Sequence, residues 1–139
     1  MRKKISVFIG IMLLSLMMFG CSNNSDTLKI PKNLELKDEY KKDVNEKYAE
    51  NFNKCTSNAI VMYKNINEMT KEDLEKINDL AKTLIESKSG SELSESEMLI
   101  GKKITDVNSE LIYYRLGNKS EESKVKIKED IQVLLDLYK

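Results

Sequence analysis

Apolar residues recur every three or four positions along most of this chain, and that spacing places them on one side of an α-helix. From residue 34 onward the pattern divides into four segments, which are separated by short stretches rich in Ser, Thr, Asn and Gly. Charged residues of both signs fill the other positions, as expected for the solvent-facing side of a helix. The pattern therefore predicts four amphipathic helices.

The first segment is the longest and predicts one long helix. Its stretch 51–58 is rich in Asn, Thr and Ser, which are poor helix formers, so we expect a bend there. The apolar residues that share one side of this segment are Leu36, Tyr40, Val44, Tyr48, Phe52, Cys55, Ala59, Met62 and Ile66.

Capping signals mark where the second and third helices begin. Thr70 with Asp73, and Ser94 with Glu97, have the spacing of a capping box, in which each side chain of the pair accepts a backbone hydrogen bond from the other residue. Both boxes are flanked by apolar pairs with the spacing of a hydrophobic staple, which are Met69 with Leu74 and Leu93 with Met98. The third segment continues with apolar residues at alternating spacings of four and three, which are Ile100, Ile104, Val107, Leu111 and Tyr114.

Glycines mark where these helices end. Residues 89–91, with Gly90 at their centre, follow the second segment, and Gly117 follows the third. We expect Asn118 or Ser120 to cap the last helix, whose apolar residues are Ile127, Ile131, Leu134, Leu135 and Tyr138. Because short turns join helices that each need to bury one apolar side, residues 34–139 are predicted to form an all-α, up-down bundle of about four helices.

The first 33 residues follow a different pattern. Arg2, Lys3 and Lys4 precede a nearly uninterrupted apolar run over residues 5–19. A positive start, an apolar middle and a small residue at the end are typical of a secretory signal peptide, and about 15 apolar residues are too few for a membrane span of about 20. Residues 22–33 are polar and contain the only proline. We therefore expect a signal peptide over 1–20, a flexible tether over 21–33 and the helical domain over 34–139.

The four residues Met18-Phe19-Gly20-Cys21 resemble the end of a bacterial lipoprotein signal. The resemblance covers residues 1–21 and implies that Cys21 becomes the mature N-terminus and carries a diacylglycerol thioether, with palmitate-type acyl chains. An anchor with two or more acyl chains is stable, so the resemblance implies attachment to the outer, extracytoplasmic face of the cell membrane. The alternative is an ordinary signal peptide or an uncleaved anchor, in which Cys21 has no role.

Charge and composition exclude several functions. The chain has 23 basic and 23 acidic residues, and loss of a leader containing Arg2, Lys3 and Lys4 would leave 20 basic residues. Such a balance excludes a strongly basic nucleic-acid binder. Histidine is absent, so the chain offers no imidazole base and no histidine metal ligand. We expect no cofactor and no metal.

Few residues remain as candidates for chemistry. If Cys21 is acylated, Cys55 is the only other thiol, and it is either a reactive group or a core residue; its place on the apolar stripe and the absence of histidine favour the core. Glu92, Glu95 and Glu97 could hold Ca²⁺, but their spacing lacks the pattern of a calcium-binding loop, so helix capping is favoured.

The aromatic and sulphur-containing side chains are predicted to be structural. We expect Tyr114 in the core and Tyr113 partly buried at the bundle edge, although an exposed Tyr113 would suit an interface. The methionines outside the leader, Met62, Met69 and Met98, are expected in the core or in a staple.

Three functions are compatible with these residues. The favoured hypothesis is a membrane-anchored module that binds an envelope or extracellular protein, for example in exclusion or immunity against incoming genetic elements. The alternative is a small lipoprotein that holds an apolar ligand between its helices. An enzyme such as a cell-wall hydrolase is the least favoured, because no carboxylate pair lies on an otherwise apolar face.

Overall fold

The computed structural model describes residues 27–117 and 119–139. The predicted signal peptide, Cys21 and residues 22–26 lie outside the described residues. Five α-helices follow one another in these ranges: α1 (Asp38–Lys41), α2 (Glu46–Lys64), α3 (Lys71–Glu86), α4 (Glu95–Leu116) and α5 (Glu121–Leu135), with a 3₁₀ turn at Ile66–Glu68. The predicted all-α helical bundle is confirmed.

Helix α2 lies at the centre of the bundle. It packs against α3, α4 and α5, whereas α3 contacts α4 at few positions. Helices α4 and α5 form an antiparallel pair along most of their length. Since α3 rests on α2 and is splayed away from α4, a groove remains between α3 and α4.

The first long helix begins later than predicted. Residues 42–45 separate α1 from α2, and Asn45 caps α2 by accepting a hydrogen bond from the Tyr48 N–H at 2.7 Å. Leu36 does not lie on a helix at all, because its backbone pairs with that of Tyr138. The predicted single helix from residue 34 is therefore wrong, and the helix is continuous over the stretch 51–58, where tertiary burial outweighs weak helix propensity.

The predicted caps are confirmed. Thr70 with Asp73, and Ser94 with Glu97, both form complete capping boxes. Ser120 caps α5 by accepting a hydrogen bond from the Ser123 N–H. These signals are local in sequence, so they operate in the same way whatever the packing of the rest of the chain.

The two ends of the domain are fastened to each other. The Lys37 N–H donates to the Leu137 carbonyl and the Lys139 N–H donates to the Glu35 carbonyl, both at 2.9 Å. Tyr138 stacks on Phe52 of α2 with 5.9 Å between ring centroids. The residues on either side of α1 are therefore part of the folded domain.

The stretch predicted as a tether touches the bundle where the structure describes it. Leu28 packs against the core, and the Lys29 N–H donates to Oε1 of Gln132 on α5 at 2.9 Å. The chain thus meets the bundle near the C-terminal end of α5. The domain boundaries themselves stay a prediction.

Candidate functional site

A fully buried carboxylate joins three parts of the chain beside the α3–α4 groove. Glu97, in the first turn of α4, is 0% exposed. Its two oxygens accept hydrogen bonds from Ser89 in the α3–α4 loop, from the Ser94 N–H and from the Asn45 N–H that precedes α2. The shortest of these bonds, from the Ser89 hydroxyl, is 2.6 Å long. Glu97 therefore holds the starts of α2 and α4 and the end of α3 at one point.

Hydrogen bonds, and no ion pair, keep this carboxylate charged. Among the described residues no lysine or arginine pairs with Glu97, so its charge is satisfied by N–H and O–H donors. Burial raises the pKa of the Glu97 carboxyl, but the bonds from Ser89, Ser94 and Asn45 together outweigh burial and hold the pKa below its ordinary value. The carboxylate is a structural anion rather than a general acid.

Tyr48 connects this carboxylate cluster to the groove. Its hydroxyl donates to the Glu97 backbone carbonyl at 3.0 Å and lies directly over Gly101. A Cβ atom at position 101 would be 2.5 Å from the Tyr48 hydroxyl oxygen, so α2 and α4 approach this closely only because residue 101 is glycine. Burial, followed by the nearby Glu97 charge, raises the pKa of Tyr48 to about 12.

The α3–α4 groove is a mainly apolar hollow of about 240 Å³. Tyr48, Leu84 and Ile104 are buried there, whereas the rim residues Ile85 and Met98 are 59% and 53% exposed. The other lining residues are Ala81, Leu93, Gly101, Lys102, Thr105 and Asn108. Met98 is therefore not a core residue, because the splay of α3 from α4 leaves this side chain uncovered, while its staple with Leu93 stays a prediction.

Three polar side chains of the groove have partners within the protein. The Tyr48 hydroxyl is bonded, Lys102 is paired with Asp106 at 2.6 Å, and the Thr105 hydroxyl donates to the Gly101 carbonyl at 2.8 Å. Asn108 also lines the groove at 8% exposure, but the buried side-chain atoms without a hydrogen-bond partner in the described residues lie elsewhere, at Asn53, Asn58 and Arg115. Sequence reasoning singled out none of these three.

A second candidate surface lies at the end of α4. Tyr113 is 61% exposed and Leu116 is 71% exposed, and their spacing places them on one side of the helix. The predicted partial burial of Tyr113 is therefore wrong, while the predicted core position of Tyr114 is confirmed at 2% exposure. We call Tyr113 and Leu116 the terminal patch.

The other predicted candidates are structural. Cys55 is 2% exposed and its thiol lies 3.5 Å from the Leu80 carbonyl, which supports the predicted core position. Burial raises the pKa of this thiol to about 11, so the reactive thiolate is scarce near neutral pH. Met62 and Met69 are buried as predicted.

The acidic cluster acts in capping and not as a ligand set. Glu97 completes the capping box of α4, while Glu92 and Glu95 are exposed. Within residues 27–117 and 119–139, no three acidic or cysteine side chains are placed to hold a metal ion. The same part of the chain contains no helix that is long and apolar enough to cross a membrane.

Comparison with known proteins adds no relative. No protein-family model, curated protein or solved structure matches this chain. The groove, the terminal patch and the N-terminal sequence are therefore the features from which a function is to be argued.

Glu97→Gln is expected to lower the free energy of unfolding by about 2 kcal/mol near neutral pH, because the amide nitrogen would face a backbone N–H donor. Glu95→Gln, at an exposed position of the same turn, is the matched control and is expected to change little. Chemical denaturation followed by circular dichroism measures both variants.

The effect of Glu97→Gln is also expected to depend on pH. Because the pKa of Glu97 is lower in the folded chain than its ordinary value of 4.5, its contribution is complete above that value and is lost as the pH falls through the folded-state pKa. The difference in stability between wild type and Glu97→Gln should therefore shrink on acidification. A difference that stays constant down to about pH 3 would contradict the role of the charge.

Gly101→Ala is expected to destabilise the protein by about 1–3 kcal/mol through its clash with the Tyr48 hydroxyl, despite the better helix propensity of alanine. Tyr48→Phe removes the clashing oxygen, and the next nearest atom, Cζ, is 3.8 Å from the added Cβ. In the Tyr48→Phe background, Gly101→Ala should be neutral or stabilising. Equal costs in both backgrounds, measured as a double-mutant cycle, would rule out the contact.

Proposed function

We propose that this protein is a lipoprotein anchored through Cys21 to the extracytoplasmic face of the cell membrane, and that its helical domain binds an envelope or extracellular protein. The sequence Met18-Phe19-Gly20-Cys21, after an apolar run and before polar residues, supports the anchor. The terminal patch supports the binding of a protein.

The position of the terminal patch is the observation that carries this proposal. The chain meets α5 at Gln132, eleven residues or about 16 Å along the helix from Glu121, where α5 begins. Because α4 and α5 are antiparallel, Tyr113 and Leu116 lie near Glu121, at the end of the pair remote from the attachment point. The segment that leads to Cys21 would therefore join the bundle at the end opposite the patch and leave the patch uncovered.

The chemistry of the patch is that of a protein interface. An exposed tyrosine beside an exposed leucine offers apolar area with one polar tip, which is enriched where protein partners bind. The patch borders a polar hollow lined by Ser109, Ser120 and the Glu110–Lys126 ion pair. An apolar centre with a polar rim is the common arrangement of such interfaces.

Ligand binding between helices is the second candidate function. The α3–α4 groove favours it, because it is apolar and reaches the surface at Ile85 and Met98. Its volume of about 240 Å³ lies just below the range of about 300–1,000 Å³ for drug-sized ligands, so a ligand there would be small.

Cys21→Ala is expected to abolish metabolic labelling with palmitate and to move the protein from the membrane fraction to the soluble fraction. Cys55→Ala is the matched control, because the buried thiol cannot be an attachment point, and this variant should stay labelled and membrane-bound. A Cys21→Ala variant that keeps both properties would refute the anchor.

The terminal patch is tested by a photo-crosslinking amino acid in the anchored protein in cells. At position 113 it is expected to capture one specific envelope protein, whereas at position 133, where Val133 is 44% exposed on α5, it should not. Tyr113→Ser with Leu116→Ser should abolish copurification of that protein without lowering the thermal midpoint. Equal capture from both positions, or copurification that survives the double substitution, would count against the patch.

A further inference from the structure

We propose that a hollow between α2 and α3 binds a small, largely apolar molecule through an N–H or O–H donor, which pairs with the side-chain carbonyl of Asn58. We call it the α2–α3 hollow; it runs along residues 50–61 of α2 and is bordered by Lys76 and Leu80 of α3. The proposal is independent of the terminal patch, of the anchor at Cys21 and of the α3–α4 groove.

The first argument is a buried carbonyl that lacks a donor. Asn58 lines the hollow and is 6% exposed, and its Oδ1 atom has no hydrogen-bond partner among the described residues. A buried amide oxygen without a hydrogen bond destabilises a fold, so an apolar residue would be more stable at position 58 if α2 and α3 met there only to pack. A ligand that donates a hydrogen bond to this carbonyl would recover the lost stability.

The second argument is that the lining needs donors and not acceptors. Asn53 lines the same hollow, and its Nδ2 atom donates to the Leu34 carbonyl at 3.0 Å, but its Oδ1 atom is also buried and has no partner in the described part of the chain. The hollow therefore has two unpartnered carbonyl oxygens, and none of its buried unpartnered atoms is a donor. A complementary ligand brings an N–H or an O–H group.

The third argument is the size and charge of the hollow. Its volume of about 520 Å³ lies within the range of about 300–1,000 Å³ for ligand sites. Val61, which is 51% exposed, and the half-buried Leu80 offer apolar contact. The charged lining consists of Lys54, its ion-pair partner Glu50 and the additional cation Lys76, so the expected ligand is neutral or acidic and not a cation.

The fourth argument is access. Lys54, Ser57, Val61 and Lys76 border the hollow and are exposed. The two lysines have flexible stems, so their side chains move aside for a ligand without unfolding of the bundle.

The test compares two probes of the same shape, indole and indene, of which only indole carries an N–H donor. The chain contains no tryptophan, so the fluorescence of indole reports its own transfer from water into the hollow. NMR contacts from each probe to the methyl groups of Val61 and Leu80 identify the site. The experiment uses the full chain.

The proposal expects both probes to contact these methyl groups and indole to bind more tightly than indene. Asn58→Leu removes the carbonyl at similar volume and should weaken indole binding about tenfold while leaving indene binding unchanged. Asn58→Ala, which cannot overpack the interface, should show the same selective loss. The matched control is Asn108→Leu, because Asn108 is also nearly buried but lies on α4, outside this hollow. It should change neither affinity.

Thermal unfolding and the contrary outcomes complete the test. The thermal midpoint shows that each variant is folded, and Asn58→Leu should raise it. Equal loss of both probes in the two Asn58 variants would overturn the role of the carbonyl. Contacts to methyl groups elsewhere, or no binding of either probe at millimolar concentration, would overturn the site, while the anchor and the terminal patch would still be judged by their own experiments.

Discussion

The packing of this domain depends on a buried carboxylate, that of Glu97, with which no lysine or arginine of the described residues pairs. A charge in the protein interior is tolerated when hydrogen bonds replace the water that it has lost, and Glu97 obtains them from Ser89 and Ser94 in the α3–α4 loop and from Asn45 before α2. The three donors come from residues that precede or follow helices, so satisfying one charge also fixes how α2, α3 and α4 meet. At this end of the bundle, the position of three helices is therefore tied to the ionisation of one side chain.

The hydrogen bonds of Glu97 also show which contacts can be predicted from the sequence and which cannot. The pairing of Glu97 with Ser94 is predictable, because a capping box needs only four consecutive residues. The bond to Asn45 spans 52 positions and exists only because α2 and α4 meet, so no local pattern contains it. The same limit explains the wrong start of the first helix: Leu36 and Val44 continue an apolar spacing of four, but Leu36 pairs with the C-terminus instead. The periodicity was compatible with both arrangements, and only the tertiary contacts distinguish them.

The α3–α4 groove results from tertiary contacts that no local sequence pattern predicts. Gly101 interrupts no pattern in α4, yet its missing side chain lets Tyr48 reach the Glu97 carbonyl and brings α2 close to α4. Met98 fits a hydrophobic staple by its spacing, but α3 is not near enough to cover it. Apart from the start of the first helix, the sequence predicts the apolar stripes correctly, but it does not show which of their members lack a neighbour.

Helix α3 is the helix whose local stability would depend most on a ligand in the α3–α4 groove. It rests on α2 and contacts α4 at few positions, so fewer interactions oppose its local detachment than for α4 or α5. A molecule between α3 and α4 would supply the missing contacts of both helices. Since a ligand stabilises the state that binds it, occupation of the groove would oppose local detachment of α3. Hydrogen exchange in α3 would then slow, while exchange in the paired helices α4 and α5 changed less. Of the four long helices, the one with the fewest contacts to its neighbours is thus the one most responsive to a ligand.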